Sequence, residues 1–438
     1  MTTTAPRQLH LNINALNAGV YASAWRWPAS DPGGFADLGH YLRIARLAEK
    51  AKFDAIFLAD TPAIKDRIDL RPINALEPTV VLAAIAASTT HLGLIGTAST
   101  SFNEPYNIAR RFATLDRISG GRAAWNIVTT GVDEAARNFG QDAIAAHGQR
   151  YERAAEFADV VRRLWHSWDD DALVGDKARA LLVDPAKLHA VDHHGEYFRV
   201  QGALTTPRSP QGHPVLVQAG GSDDGRGLAA RHAEAIFTVS QTIEDGVAYA
   251  KDVRERATRL GRNGAGIVLL PGLSTVIGDT EAAARQRHEA LADLIPPAYG
   301  FARLSSVLHR DVSTLDLDAP LPDDLAPPAD GHHTAFHSTV GLARRENLTL
   351  RQLLRRLGGG IGHRVVIGTP EQVADDIARW FAAGAADGFN LMPDVLADGF
   401  EAFTEQVVPL LQRKGIFRRE YEHTTLRGHL GLGAPEKP

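Results

Sequence analysis

The sequence predicts an α/β protein folded as a (β/α)8 TIM barrel with insertions. Three observations carry that expectation. Short apolar runs rich in β-branched residues alternate with segments of helical spacing, the pattern of a parallel sheet. The run from Ala123 becomes polar at its carboxyl end, at Thr129 and Thr130, and is followed by a helix, which is how such barrels build ligand sites. Neither charge nor composition breaks along the chain, so its 438 residues read as one domain over 1–438. Insertions are expected near 169–205 and 296–364, with a C-terminal extension over 411–438.

Taken in order, Leu9 to Leu16 reads as the first strand and Gly19 to Gly34 as a loop carrying Trp25, Arg26 and Trp27. Leu38, Tyr41, Leu42, Ala45 and Ala48 have helical spacing, and Phe53 to Ala59 is a second buried strand ending at Asp60. Pro78 opens a helix of small apolar residues, His91 to Ser99 is the third strand, and Tyr106 to Asp116 the third helix. The fourth strand begins at Ala123. Its helix shows a stripe of Tyr151, Ala154, Ala158, Val161 and Trp165. Charged, glycine-containing sequence over Asp169 to Thr205 then breaks the rhythm. Strands five to seven are expected at Val215 to Ala219, Ala235 to Ser240 and Ile267 to Ile277, with Asp279 capping the next helix. Pro296 to Arg364 is longer than an ordinary connection, so it reads as a functional insertion: a lid over the carboxyl face or a packing element. Within it, proline-rich Pro320 to Pro328 would stiffen a cover and Gly358-Gly359-Gly360 would hinge it. Thr369-Pro370-Glu371-Gln372 is a helix start with a capping-box glutamine, and Gly388 to Met392 is the eighth strand.

Composition excludes several classes. Lys+Arg 47 against Asp+Glu 52 gives a net charge of −5 without a basic block, so a nucleic-acid partner is not expected. The absence of cysteine removes disulfides, thiolate metal sites and a cysteine nucleophile. Residues 1 to 10 lack an apolar signal core and no run is long enough to span a bilayer, so a cytoplasmic protein with no membrane partner is expected. Eighteen histidines raise the question of a metal, but His193-His194 and the loop histidines His332, His333 and His337 come without a recognisable ligand set, and none is predicted.

Gly220-Gly221-Ser222, after a strand and before a helix, is either a phosphate cradle or a plain βα turn. It lacks the Gly-x-Gly-x-x-Gly spacing of a dinucleotide site. Asp223 and Asp224 would repel a phosphate, so they are expected to face solvent or cap the helix. Asp60, before Thr61-Pro62, has the simpler reading of a turn residue.

Several ordered stretches carry a resemblance. They are Trp125-Asn126-Ile127-Val128-Thr129, Asn138-Phe139-Gly140 and His147-Gly148-Gln149-Arg150-Tyr151-Glu152-Arg153-Ala154. Leu164 to Trp168, His194-Gly195-Glu196-Tyr197-Phe198, Pro210 to Pro214 and Gln218 to Ser222 continue them. Asp387-Gly388-Phe389, Phe417 to Tyr421 and Thr425-Leu426-Arg427 complete the set. Together they resemble the two-component monooxygenases related to nitrilotriacetate and dibenzothiophene-sulfone monooxygenases, within the bacterial-luciferase-like superfamily. The resemblance implies a luciferase-like barrel that takes FMN as FMNH2 from a separate flavin reductase. It also implies O2 as cosubstrate and oxygen transfer to a small organic substrate through a flavin C4a-peroxide. It places flavin contacts at Asp60, Thr97, His147, Tyr151 and Ser222, the last two on the phosphate, and raises Asn126 and Gly221 as further cofactor-binding positions. His147 is the candidate catalytic residue, through proton delivery, with a plain ribityl or phosphate hydrogen bond as its other role. A homodimer or homotetramer is expected. A deazaflavin-dependent hydride-transfer enzyme and a non-catalytic flavin-binding protein are the alternatives. Substrate identity is not legible; Trp25, Arg26, Trp27 and Phe102 offer aromatic walls with one cation, suited to a planar or a carboxylated molecule.

Overall fold

The structure, a computed structural model, describes residues 7–64, 67–327, 333–359 and 362–435. Nine parallel strands form its main sheet: β1 His10–Asn14, β2 Ala55–Leu58, β3 Gly93–Ser99, β4 Ala123–Val128, β5 Val215–Gln218, β6 Ala235–Thr238, β7 Val268–Ile277, β8 Arg364–Gly368 and β9 Gly388–Pro393. Eight of them close a barrel in the order β1-β2-β3-β4-β5-β6-β7-β9, with β9 returning to β1. These are the eight strands read from the sequence. The ninth, β8, was not expected. It extends the sheet along the outer half of β7, pairing from Leu273 onward, whereas β6 pairs with β7 only as far as Pro271. Proline has no N–H to give a ladder, and it marks the change of partner.

Strand alternation divides inside from outside. Leu11 and Ile13 of β1 pack outward with Tyr41, Ile44 and Ala45 of α1 (Leu38–Lys50). The register sets Asn12 level with Ala55 and with Asn390, and Asn390 level with Gly272, so these share the interior face. The lower interior is apolar, with Ala55, Phe57, Ile95, Ala124, Val215, Val217 and Val268 in one cluster. Leu426 and Leu430, at the C-terminal helical turn Leu426–His429, join that cluster and stop the N-terminal end of the barrel. The resemblance motifs at Phe417 and Thr425 therefore serve closure. Arg418 reaches Asp54 at 2.6 Å and Arg427 reaches Glu234 at 2.5 Å, all four beneath the barrel.

Around the barrel run α2 (Pro78–Ser88), α3 (Pro105–Ile118), α4 (Asp133–Asn138), α5 (His147–Trp165), α6 (Asp223–His232), α7 (Ile243–Arg259) and α8 (Glu281–Asp293). Asp279 does not cap α8. Thr280 does, accepting from the Ala283 N–H at 3.1 Å, as the residue adjoining the first turn must. The 169–205 region holds two short hairpins, Leu173–Asp176 with Leu181–Val183 and His193–His194 with Arg199–Val200.

Much of the described part of the segment 296–364 is helical, although 309–327 carries no helix or strand. It contains α9 (Pro297–Leu308), α10 (His333–Arg345) and α11 (Leu350–Gly358), packed on an apolar cluster of their own that includes Leu304, Leu308, Phe336, Val340 and Leu353. It returns to the sheet as β8, and α12 (Pro370–Ala382) follows with both halves of the expected capping box in place. The glycine hinge is not supported. Gly359 is buried with the Tyr21 ring where its side chain would stand, so it serves close packing; Gly360 lies outside the described residues, as does His332. No described helix is long and apolar enough to cross a membrane.

Candidate active site

A cavity of about 560 Å³ opens where β2, β4, β5 and β6 end, within the range of roughly 300–1,000 Å³ usual for cofactor and substrate sites. The carboxyl ends of the strands form its floor through Asp60, Val128, Thr129, Gln218 and Thr238, and α9 and α10 form its roof through Arg303, Ser306, Val307 and Ser338.

One wall is made by two helix starts. β5 runs into Ala219-Gly220-Gly221, and Ser222 caps α6 by accepting the Gly225 N–H at 3.1 Å. That bond uses the hydroxyl as acceptor and leaves its proton free to donate to an anion. Gly220 is required here, because an added Cβ would stand 2.7 Å from Cα of Gly225. The buried Tyr249 hydroxyl donates to the Gly220 carbonyl at 2.7 Å and fixes the turn from behind. The second start is α5. Ala146 supplies no side-chain cap, and His147, Arg150 and Tyr151 of its first turns all face the cavity. Unused amides at a helix N-terminus favour an anion. The helix forms there because Ala154, Phe157, Ala158, Val161 and Leu164 bury one stripe completely.

His147 bridges the two starts. Its Nε2 lies 3.3 Å from Asp224 Oδ2, its Nδ1 lies 3.5 Å from an Arg150 nitrogen, and its ring packs on Tyr151 at 4.9 Å between centroids. Asp223 turns outward to Arg256 at 2.6 Å, and Asp224, exposed to solvent as expected, also reaches His147 where the first turns of α5 and α6 converge. Asp60 lies on the floor with its carboxyl pushed up to about 6 by burial first and the neighbouring Glu77 second.

Thus Asp60, His147, Tyr151, Gly221 and Ser222 line one cavity. Thr97 and Asn126 do not. They face each other inside the barrel, Asn126 Nδ2 donating to Thr97 Oγ1 at 2.9 Å, each only 3% exposed. Asn126 Oδ1 is left buried without a partner, as are Oδ1 of Asn12, Asn14 and Asn390. Among the described residues, no group of three or more metal-ligating side chains is assembled.

Sequence reasoning missed His363 and Phe237. Their rings stack at 5.0 Å and 7°, and Gly272 of β7 leaves the room that His363 occupies. Burial lowers the His363 imidazole to about 4, so it is neutral near pH 7. Inward parity on β6 was the available signal for Phe237; nothing local marked His363. The aromatic residues singled out as substrate walls are engaged elsewhere. Trp25 donates to the Leu70 carbonyl at 2.9 Å, Trp27 to Asp398 at 2.9 Å, Arg26 to the Leu294 carbonyl, and Phe102 stacks on Phe139 at 4.7 Å.

A closed parallel barrel with a cavity at the carboxyl ends of its strands, one wall of which is the glycine turn between β5 and α6, has the architecture of a (β/α)8 enzyme. The chain belongs to the luciferase-like monooxygenase family, whose description matches residues 16–387. It stands beside the flavin-dependent two-component members. It is 44% identical to nitrilotriacetate monooxygenase component A of Aminobacter aminovorans, over 99% of this chain and 98% of that protein. It is 41% identical to dibenzothiophene-sulfone monooxygenase of Rhodococcus erythropolis (strain XP), again over 99% and 98%. The solved EDTA monooxygenase from Chelativorans sp. BNC1 has the same fold, with a TM-score of 0.85 at 36% identity over 98% of this chain and 99% of that one.

Proposed function

We propose that this monooxygenase takes FMNH2 from a separate flavin reductase, together with O2, and oxygenates a small organic substrate under the cover formed by α9 and α10. The observation that carries the reading is the cradle at Gly220-Gly221-Ser222, which meets the first turn of α5 across one cofactor-sized cavity. Reduced flavin supplies the electrons that activate O2 when bound; the protein's part is binding, orientation and exclusion of water.

The Ser222 and Tyr151 hydroxyls and the amides of α5 and α6 would hold the phosphate. His147, tied to Asp224 and Arg150, is suited to fixing the two helix starts and hydrogen-bonding the cofactor. Asp60 and Thr129 offer polar contacts along the floor, and the Phe237–His363 stack offers a flat wall. The unpartnered Asn126 Oδ1 is an acceptor just below.

Anaerobic titration tests the reading. FMNH2 should bind more tightly than FMN, because oxidised flavin must leave to be reduced again. Enzyme given FMNH2, O2 and a metabolite mixture should yield a product heavier by one oxygen in mass spectrometry. NADH with FMN and no reductase should yield none. Equal affinity for the two flavin states, with no oxygenated product, would refute the proposal.

A further inference from the structure

The roof of the cavity carries a cation that no described residue pairs. α9 turns Leu304 and Leu308 into the apolar cluster of the cover, and brings Arg303, Ser306 and Val307 to the cavity, with Val307 also packed against that cluster and Ser306 exposed. Those three positions, at i, i+3 and i+4, form one helix face. Every other arginine from α9 through α11 has a partner. Arg310 pairs with Asp324, Arg345 with Asp245, Arg351 with Asp318, Arg355 with Asp293 and Arg356 with Glu346, and Arg344 donates to the Asp323 carbonyl. Arg303 has no hydrogen bond or ion pair to any described residue. The carboxylates of the cavity do not answer it, since Glu134 pairs with Arg137 at 3.3 Å and Asp60 makes no ion pair. The other arginine of the wall, Arg150, is held by the Ala145 carbonyl at 2.5 Å.

A guanidinium lining a partly open cavity can gain from an anion there, and its planar fork matches a carboxylate through two parallel hydrogen bonds. We propose that the substrate carries a carboxylate, which Arg303 binds beneath the cover with the Ser306 hydroxyl beside it. This deepens the monooxygenase reading and rests on it. It also relocates the cation of the substrate site from Arg26, whose guanidinium is occupied by the Leu294 carbonyl, to Arg303.

The flavin phosphate is the competing anion, so the test has two arms. In the first, succinate, citrate, benzoate and nitrilotriacetate are titrated calorimetrically into FMN-loaded enzyme, beside succinamide and benzamide as neutral controls. At least one carboxylate should bind. Its affinity should fall by roughly ten- to a hundredfold in Arg303→Gln, the loss of a charge-assisted pair, and fall less in Arg303→Lys. Arg303 makes no hydrogen bond or ion pair with any described residue, so both variants should melt close to the wild type. In the second arm, the preference of Arg303→Gln for FMN over riboflavin should equal that of the wild type. The inference is overturned if no carboxylate binds the wild type or if Arg303→Gln leaves its affinity unchanged. Selective loss of FMN, with riboflavin unaffected, would also overturn it, by making Arg303 a phosphate ligand. A wild type that fails to bind FMNH2 defeats the underlying reading; one that binds FMNH2 with carboxylate affinity indifferent to residue 303 defeats this inference alone.

Discussion

The two ends of the barrel treat charge in opposite ways. At the N-terminal end, Asp54 is fully buried and answered three times, by Arg418 at 2.6 Å, His10 at 3.0 Å and the Leu11 N–H at 2.7 Å. Arg122, 2% exposed, donates to the Leu92 carbonyl at 2.7 Å, the Ala86 carbonyl at 3.0 Å and the Thr89 hydroxyl at 2.9 Å. At the C-terminal end, among the described residues, Asp60 has the Thr61 N–H and the field of Arg111 but no ion pair, Arg303 has no anion, and Asn126 Oδ1 has no donor. The buried acid at the first end is answered from within the chain, although Nη1 of Arg418 stays buried without a partner, whereas the polar groups at the second end are open to a ligand. A buried group without its partner is costly, so this asymmetry separates residues that hold the barrel together from residues that bind.

The largest effect should come from breaking the satisfied end. Burial alone would raise the Asp54 carboxyl, but Arg418 and His10 override it and hold it at about 2. Asp54→Asn leaves Arg418 buried and uncompensated, which costs about 3–5 kcal/mol. Urea denaturation at pH 7 should show that loss, while the FMN affinity of the folded fraction stays as in the wild type. A depressed folded-state value also means that the contribution of Asp54 is intact above its unfolded value near pH 4. It is then lost as pH falls toward 2. A stability loss under 1 kcal/mol would erase the distinction between the two ends.

The binding end should respond the other way round. Tyr151→Phe removes a cavity hydroxyl, and a hydrogen bond to a charged group contributes about 1.5–3 kcal/mol, so FMN should bind roughly ten- to a hundredfold more weakly with the urea midpoint unchanged. Riboflavin, lacking the phosphate, should be little affected. Ser222→Ala should weaken FMN similarly but also lower stability by about 1 kcal/mol, because the same oxygen caps α6. Equal weakening of FMN and riboflavin would move both residues away from the phosphate.

Gly272→Ala probes the seam between barrel and cover. Its new methyl would collide with His363, which is stacked on Phe237 and has little room to retreat. Overpacking of this kind costs about 1–3 kcal/mol. The cost should fall on the return of the cover, seen as faster limited proteolysis between α9 and α11 with the barrel itself resistant. Uniform sensitivity across the chain would show that His363 anchors the barrel as much as the cover.

The eight barrel strands were legible because each is a short apolar run bounded by glycine, proline or a polar residue, and a parallel barrel demands that pattern locally. The cover was not. Its helices bury their apolar faces on one another, so Leu304, Phe336 and Leu353 meet only in three dimensions, and β8 is a five-residue run that pairs with half a strand. The site divides the same way. Asp60, Tyr151 and Ser222 sit at strand ends and helix starts, positions a sequence marks. Thr97 and Asn126 share the inward parity of their strands but stand below the cavity, and parity alone does not give depth. Arg303 and His363 arrive from the cover, and His363 is intelligible only beside Gly272, distant in sequence and adjacent in space.

The smallest expected effect tests whether the open end carries a penalty without its ligand. Burial, with Glu77 adding to it, raises the Asp60 carboxyl from its ordinary range to about 6. The folded protein therefore binds a proton at Asp60 that the unfolded chain has released across the window from about pH 4 to 6. Stability must fall as pH rises through that window and stay lowered above it. Asp60→Asn removes the titration, so the apo variant should match the wild type near pH 3.5 and exceed it at pH 8. The gain should be on the order of 1 kcal/mol, since the group is partly screened by solvent. Denaturant midpoints for both proteins across that range decide the matter. A constant difference would mean that Asp60 does not ionise in this window, and a wild type more stable at pH 8 would mean that Asp60 has a partner in the apo protein. If the difference at pH 8 appears in the apo protein and shrinks when FMN is added, the ligand relieves the penalty of the buried carboxylate, and the contrast between the two ends holds.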